Sequence, residues 1–167
     1  PLGQSTGAAV IFGATGGVME AAVRTAYEAA TGKPLSDINL TEVRGLEGIK
    51  HAELDVGGKI LKIAVAHSLK NARLLLDEIA AGKSEYAFIE VMTCPGGCIG
   101  GGGQPVLPNH AKREARAKSL YLEDQNLPIR KSHENPAVMV LYKEFLGKPL
   151  GHVSHELLHT HYAHREV

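Results

Sequence analysis

Apolar and polar positions change rhythm several times along this chain. Residues 8–12 (Ala8, Ala9, Val10, Ile11 and Phe12) form a short apolar run that reads as a buried strand. Gly13-Ala14-Thr15-Gly16-Gly17 then predicts a turn, after which Val18, Ala22, Val23, Ala26 and Tyr27 recur at helical spacing. Thr15 is the expected cap of that helix, and Gly32 before Lys33-Pro34 its expected stop. Residues 49–56 and 59–66 alternate or run apolar around Gly57-Gly58, a pair suited to the positive φ of a tight hairpin turn. Helical spacing returns over 68–81 through Leu69, Ala72, Leu75, Leu76 and Ile79, with Gly82 beyond it. A further strand over 86–92 delivers Cys94 just past its carboxyl end.

Beyond Pro108 the texture becomes that of charged helices, over about 110–123 and 136–145, followed by a histidine-rich tail with no strand signal. The fold class expected is α/β, an open mixed sheet flanked by helices with a helical carboxyl-terminal appendage. The division expected is an α/β lobe over residues 1–106, which carries the cysteine loop, and a helical region over 107–167. Ligand sites in such folds gather beyond the carboxyl ends of the strands, where the cysteine loop lies.

Composition narrows the function. With 167 residues the chain has the length of one domain, and 18 basic side chains balance 18 acidic ones, so no net field draws it to nucleic acid. No run of about eighteen apolar residues offers a membrane span, and the amino end lacks a signal-peptide pattern. The expected compartment is the cytoplasm, with the periplasm as the alternative. A start at Pro1 rather than methionine suggests a processed chain or a piece of something longer.

Only two cysteines are present, too few for a secreted disulfide scaffold and apt as ligands in a reducing interior. Three residues separate Cys94 from Cys98, and four residues of helical turn rise only about 6 Å, so both sulfurs can meet one inorganic group. Six glycines between Gly96 and Gly103 remove side-chain bulk around them. The same spacing also permits a disulfide or two free thiols, and spacing alone leaves cluster and thiol chemistry level.

The full string carries more. Val91-Met92-Thr93-Cys94-Pro95-Gly96-Gly97-Cys98-Ile99-Gly100-Gly101-Gly102-Gly103-Gln104-Pro105 resembles the third cysteine motif of the iron-only (FeFe) hydrogenases. Ala9 through Ala22 and Glu42-Val43-Arg44-Gly45 resemble other segments of that catalytic domain. Arg116 to Pro136, with Ser119-Leu120-Tyr121 and Lys131-Ser132-His133-Glu134-Asn135-Pro136, is similar to the family's small-subunit-like region. The resemblance covers essentially the whole chain.

It implies one lobe of a two-lobed hydrogenase domain and reversible oxidation of H2 to protons and electrons. The implied cofactor is a 4Fe-4S cubane bridged to a diiron unit with carbonyl, cyanide and dithiolate ligands. Carried over by motif, Cys94 is a cubane ligand, and Cys98 is the cubane ligand that bridges to the diiron unit and counts as catalytic. Met92, Phe12, Gly13 and Gly97 would line the cofactor pocket. Thr93 departs from the alanine common in the family. The larger departure is that the first two cysteine motifs have no counterpart here, so the implied partners are a preceding segment with the other thiolates and ferredoxin-like electron carriers. An iron-sulfur assembly or H2-sensing protein sharing the loop is the second reading.

Two other patterns compete. His155-Glu156-Leu157-Leu158-His159 spells H-E-x-x-H, a zinc peptidase signature when a helix presents it, with His152, His161 and His164 as further donors. Its place at the carboxyl end leaves no room for a downstream ligand helix or a substrate cleft. The glycine turn at 13–17 suggests a dinucleotide loop, yet no acidic strand end follows it at the required distance. His51, His67, His110 and His133 read as surface or hydrogen-bonded residues, and Lys112, Arg113, Arg116 and Lys118 as a solvated helix face. Glu90 is open to a structural role or a proton-path role.

Overall fold

The computed structural model describes residues 3–163. Its sheet has three strands in the order β1 (Ile49–Val56), β2 (Lys59–His67), β3 (Tyr86–Met92). β1 and β2 pair antiparallel from Ile49↔Ala66 to Val56↔Lys59, closed by Gly57 and Gly58 at φ 65° and 92°. Both glycines adopt the left-handed region that a two-residue hairpin turn requires. β3 joins β2 in parallel, up to the pair His67↔Met92, so the sheet is mixed as expected.

Alternation along β2 sorts its side chains onto two faces. Ile63 and Val65 pack with Met19, Val23, Leu40, Val43 and Ala52 on the face covered by α2 (Gly17–Thr31). Ala64 and Ala66 pack with Leu75 of α3 (Leu69–Ala80), the crossover helix between β2 and β3. Each fully buried Met, Val or Leu contributes about 1.5–3 kcal/mol relative to exposure. Of the helical positions anticipated on α3, Ala72 and Leu75 are buried, while Leu69, Leu76 and Ile79 stay about half exposed.

The structure corrects the reading of residues 8–12. They form no strand: α1 (Gly7–Val10) is helical and Ile11–Gly13 continues as a 3-10 turn. Thr6 caps α1, its hydroxyl accepting from the Ala9 amide at 3.2 Å. Gly7 lets that turn meet α4 (His110–Asn126), since a Cβ there would stand 1.9 Å from Asp124 Oδ1. Ala8 and Ile11 then bury themselves with Ala14, Ala21, Ile99 and Tyr121. A short apolar run has no period of its own, so the cap and the packing decide its state.

The buried side of α2 is also not the stripe anticipated. Met19, Glu20, Ala21, Val23 and Arg24 face inward, whereas Ala22, Ala26 and Tyr27 line an open apolar groove with Leu54, Leu61 and Phe88. Two charges are tolerated inside because they are paired. Arg24, fully buried, donates to both Asp124 oxygens at 2.8 Å, to Glu20 at 2.7 Å and to the carbonyls of Ile38 and Arg130 at 2.9 Å. Burial works against charge on Asp124, but hydrogen bonds and attraction from Arg24 and Arg130 outweigh it and hold the carboxyl below its usual range. Arg44 completes the group, bonding Glu20 at 2.6 Å and lying 4.1 Å over the Tyr121 ring.

After α4 the chain is helical, with α5 (Pro136–Leu141) followed by a π turn, and α6 (His152–Leu158). Asn135 caps α5 through the Ala137 amide at 2.9 Å. His133 is held by Thr25 and Glu28, each at 3.0 Å, which docks this region on α2.

Candidate functional site

β3 ends at Met92 and releases the cysteine loop, 93–105, beyond the carboxyl edge of the sheet. Cys94 is half-buried, Cys98 is exposed, and both thiols are free, so the disulfide reading is set aside. A tight turn joins them: the Gly97 amide donates to the Cys94 carbonyl at 2.9 Å, and Cys98–Gly100 forms a 3-10 turn closed by Gly101 N–H to Cys98 O at 3.1 Å. Gly97 sits at φ 93° and ψ −159°, a region essentially reserved for glycine.

Close approach explains why side chains are absent here. A Cβ on Gly97 would stand 2.8 Å from Met92 Sδ, 2.8 Å from the Thr15 amide nitrogen and 3.0 Å from the Gly13 carbonyl. Gly97, Met92 and Gly13 are therefore brought together, while Phe12 precedes Gly13 in the chain and is 46% exposed. The Thr15 amide bonds the Gly96 carbonyl at 3.0 Å and joins the two glycine turns directly.

The turn at 13–16 is fixed by two charged side chains. Thr15 does not cap α2; Gly16 holds the N-cap position at φ 93°, and Glu90 of β3 reaches the helix start instead. Its carboxylate accepts from the Gly16 and Met19 amides, both at 2.7 Å, which assigns Glu90 the structural of its two readings. Lys50, 4% exposed, donates to the Thr15 carbonyl at 3.1 Å and the Gly45 carbonyl at 2.9 Å. Burial pushes its ammonium down to about 8, against the opposing pull of Glu90. Lys50 escaped the sequence reading although it shares the inward register of Ala52, where a charge is out of keeping.

α4 forms another wall. Arg116 donates to the Ile99 carbonyl at 2.8 Å, and the Arg113 side chain presses on Gly96 and Gly100. These two arginines are half-buried, so the solvated face expected for them is corrected: the loop's bare backbone, poor in side chains, covers them. His67, pairing with Met92 across the sheet, bonds the Leu46 carbonyl at 3.2 Å, and its Nδ1 is buried without a partner.

The thiols and their surroundings fit an inorganic cluster. A Cβ on Gly101 would stand 3.0 Å from Cys94 Sγ, so glycine at that position keeps one side of the sulfur clear. Two soft sulfur donors supply half of the four ligands that clusters usually take.

The competing motif does not converge. On α6 the His155 and His159 rings stack 4.4 Å apart and His161 lies 5.9 Å from His155, while Glu156 faces His152 at 3.8 Å. His164 lies outside the described residues. Among the described residues the one three-donor cluster is Glu28, His133 and Glu134, where Lys131 already bonds Glu28 at 2.6 Å and Glu134 at 3.1 Å. No strand precedes the 13–17 turn either, which removes the dinucleotide-loop setting.

Residues 1–102 match the family described as iron only hydrogenase large subunit, C-terminal domain, and residues 110–165 match iron hydrogenase small subunit. The chain belongs to the iron-only hydrogenase large-subunit family. It is 57% identical to the NADP-reducing hydrogenase subunit HndD of Solidesulfovibrio fructosivorans over 99% of its own length and 28% of that protein's. A variant of the FeFe-hydrogenase HydA1 from Chlamydomonas reinhardtii superposes at TM-score 0.70 with 43% identity, over 90% of this chain and 45% of that one. The chain thus spans under half of the hydrogenases it matches. A more distant relative is the cytosolic iron-sulfur assembly component 3 of Rattus norvegicus, 31% identical over 90% of this chain and 31% of that protein. Among the described residues no helix is long and apolar enough to cross a membrane.

Proposed function

We propose that this chain is the carboxyl-terminal part of an iron-only hydrogenase catalytic subunit, with an α/β lobe to residue 106 and a small-subunit-like region after it. The observation that carries the reading is the pair of free thiols on a glycine turn wedged between the 13–16 turn and α4. Cys94 and Cys98 would hold the cubane of that family's cofactor, with Cys98 the thiolate nearer its diiron unit. When bound, that cofactor supplies the reversible heterolysis of H2 and the storage of electrons.

The chain's own residues hold and enclose it. Gly97 and Gly101 let backbone approach, Met92 and Phe12 give the pocket an apolar lining that excludes water, and Thr15 with Gly13 fixes the turn beneath the loop. The other two thiolates come from a preceding segment of the subunit, and electrons leave through ferredoxin-like carriers. An assembly or sensing protein is the second reading, favoured by the relative in iron-sulfur assembly.

The test is anaerobic reconstitution of the complete subunit, followed by iron analysis, electron paramagnetic resonance and an H2-evolution assay. Cys94→Ser with Cys98→Ser is expected to abolish the cubane signal and evolution together. Full iron content and activity in that double variant refutes the reading, while a cubane without turnover in the parent favours the assembly or sensing role. This chain alone, with half the thiolates, is expected to retain no stable cluster.

A further inference from the structure

α4 brings two positive charges against the loop that carries the thiols, and nothing nearby neutralises them. Arg116 Nη1 donates to the carbonyl of Ile99, the residue after Cys98, at 2.8 Å. Arg113 lies along the same turn, its Cδ 3.3 Å from where a Gly96 Cβ would stand and its Nε 2.9 Å from where a Gly100 Cβ would stand. That Nε is buried and has no hydrogen-bond partner. Glycine at both positions therefore lets a guanidinium stem press on the backbone between the cysteines and just after them.

The neighbouring acids are committed elsewhere. Glu114, on the same helix, points to solvent beside His110 at 3.5 Å and reaches neither arginine. Glu20 is held by Arg24 and Arg44, Asp124 by Arg24 and Arg130, and Glu90 by two backbone amides. Among the described residues neither Arg113 nor Arg116 forms a salt bridge, in contrast to the paired arginines of the core. A half-buried cation without a counter-charge is costly, and its cost falls when negative charge arrives beside it. Two cysteine thiolates and the sulfides of a cluster supply that charge.

We propose that Arg113 and Arg116 are positioning residues that raise the reduction potential of the cluster held by Cys94 and Cys98. The proposal rests on the hydrogenase reading and assigns this region a role in it. Net charge and hydrogen bonding around a cluster set its potential. When the cubane takes up one electron its negative charge grows by one, and two fixed cations at the loop favour that state. They act through the loop and touch neither substrate nor iron.

The experiment is a dithionite-poised redox titration of the matured holoprotein containing this chain, read by electron paramagnetic resonance, with iron content measured in parallel. Arg113→Gln and Arg116→Gln are each expected to lower the midpoint so that the reduced-to-oxidised ratio at fixed potential falls at least threefold. At 59 mV per tenfold for one electron, that is a shift of roughly 28 mV. Arg113→Lys and Arg116→Lys, which keep the charge, are expected to stay near the parent. Glutamine variants with full iron and an unmoved midpoint overturn the proposal, as do lysine variants displaced as far as the glutamine ones. Should the glutamine variants fail to load iron, the lysine variants decide: loading at the parent's midpoint supports the proposal, and failure to load overturns it. A parent without any cubane signal sinks the hydrogenase reading itself and this proposal with it.

Discussion

Replacing Glu90 by glutamine changes one atom, yet it acts on two backbone hydrogen bonds that fix the turn under the cysteine loop. The carboxylate, 6% exposed, accepts from Gly16 and Met19, both at 2.7 Å. Glutamine keeps one acceptor oxygen and turns an amide donor toward the other N–H, so at least one bond is lost. A hydrogen bond to a charged group is worth about 1.5–3 kcal/mol, and a negative charge at a helix N-terminus about 0.3–1 kcal/mol more. Lys50 also loses the charge that favours its ammonium, which adds to the cost. The expected destabilisation is therefore about 2–4 kcal/mol, with Glu90→Ala at or above the upper end because it leaves both amides unpaired. Urea unfolding followed by circular dichroism measures the total, and hydrogen exchange at the Gly16 and Met19 amides locates it. A glutamine variant within about 1 kcal/mol of the parent, with exchange at both amides unchanged, refutes this account of the turn.

Two further outcomes follow from the same region. Lys50 titrates near 8 when folded and at 10.5 when unfolded, so between those values the unfolded chain binds the extra proton and stability rises with pH. The parent is expected to gain on Lys50→Met by up to ~3 kcal/mol from pH 7.5 to 10.5, and a flat or falling difference in urea stability contradicts it. Gly97→Ala puts a methyl 2.8 Å from Met92 Sδ at φ 93°, which costs about 1–3 kcal/mol in backbone strain alone. Reduced iron loading in the reconstituted subunit is expected, and parent-level loading would count against the close approach of the two glycine turns.

The hairpin, the crossover helix and β3 could be read from sequence because period and punctuation agree there: Gly57-Gly58 interrupts alternating runs, and Gly82 follows the last periodic residue, Ile79. Cys94 and Cys98 stood out for another reason, the resemblance of the whole string from Val91 to Pro105 to a family motif, because spacing alone left cluster and thiol chemistry level. Residues 8–12 misled because their helix depends on a cap at Thr6 and on Gly7 meeting Asp124, a partner more than a hundred positions away. The inward side of α2 was obscured because Glu20 and Arg24 are buried as a pair, which hydropathy scores as exposed. Arg113 and Arg116 were hidden for the reverse reason. What covers them is main chain, and a run of glycines contributes carbonyls and contact surface that no side-chain pattern records.

The wall that α4 builds on the loop has a consequence for biosynthesis. A ribosome completes the cysteines before it adds Arg113 and Arg116, so a nascent chain exposes its thiols on an unfinished shelf. The docked α4 is also tied by the contact between Arg24 and Asp124, which closes a loop of 100 residues. Metal delivered before α4 is made meets two thiols without the arginine wall. Delivered afterwards, it meets thiols whose loop Arg113 and Arg116 already hold from one side.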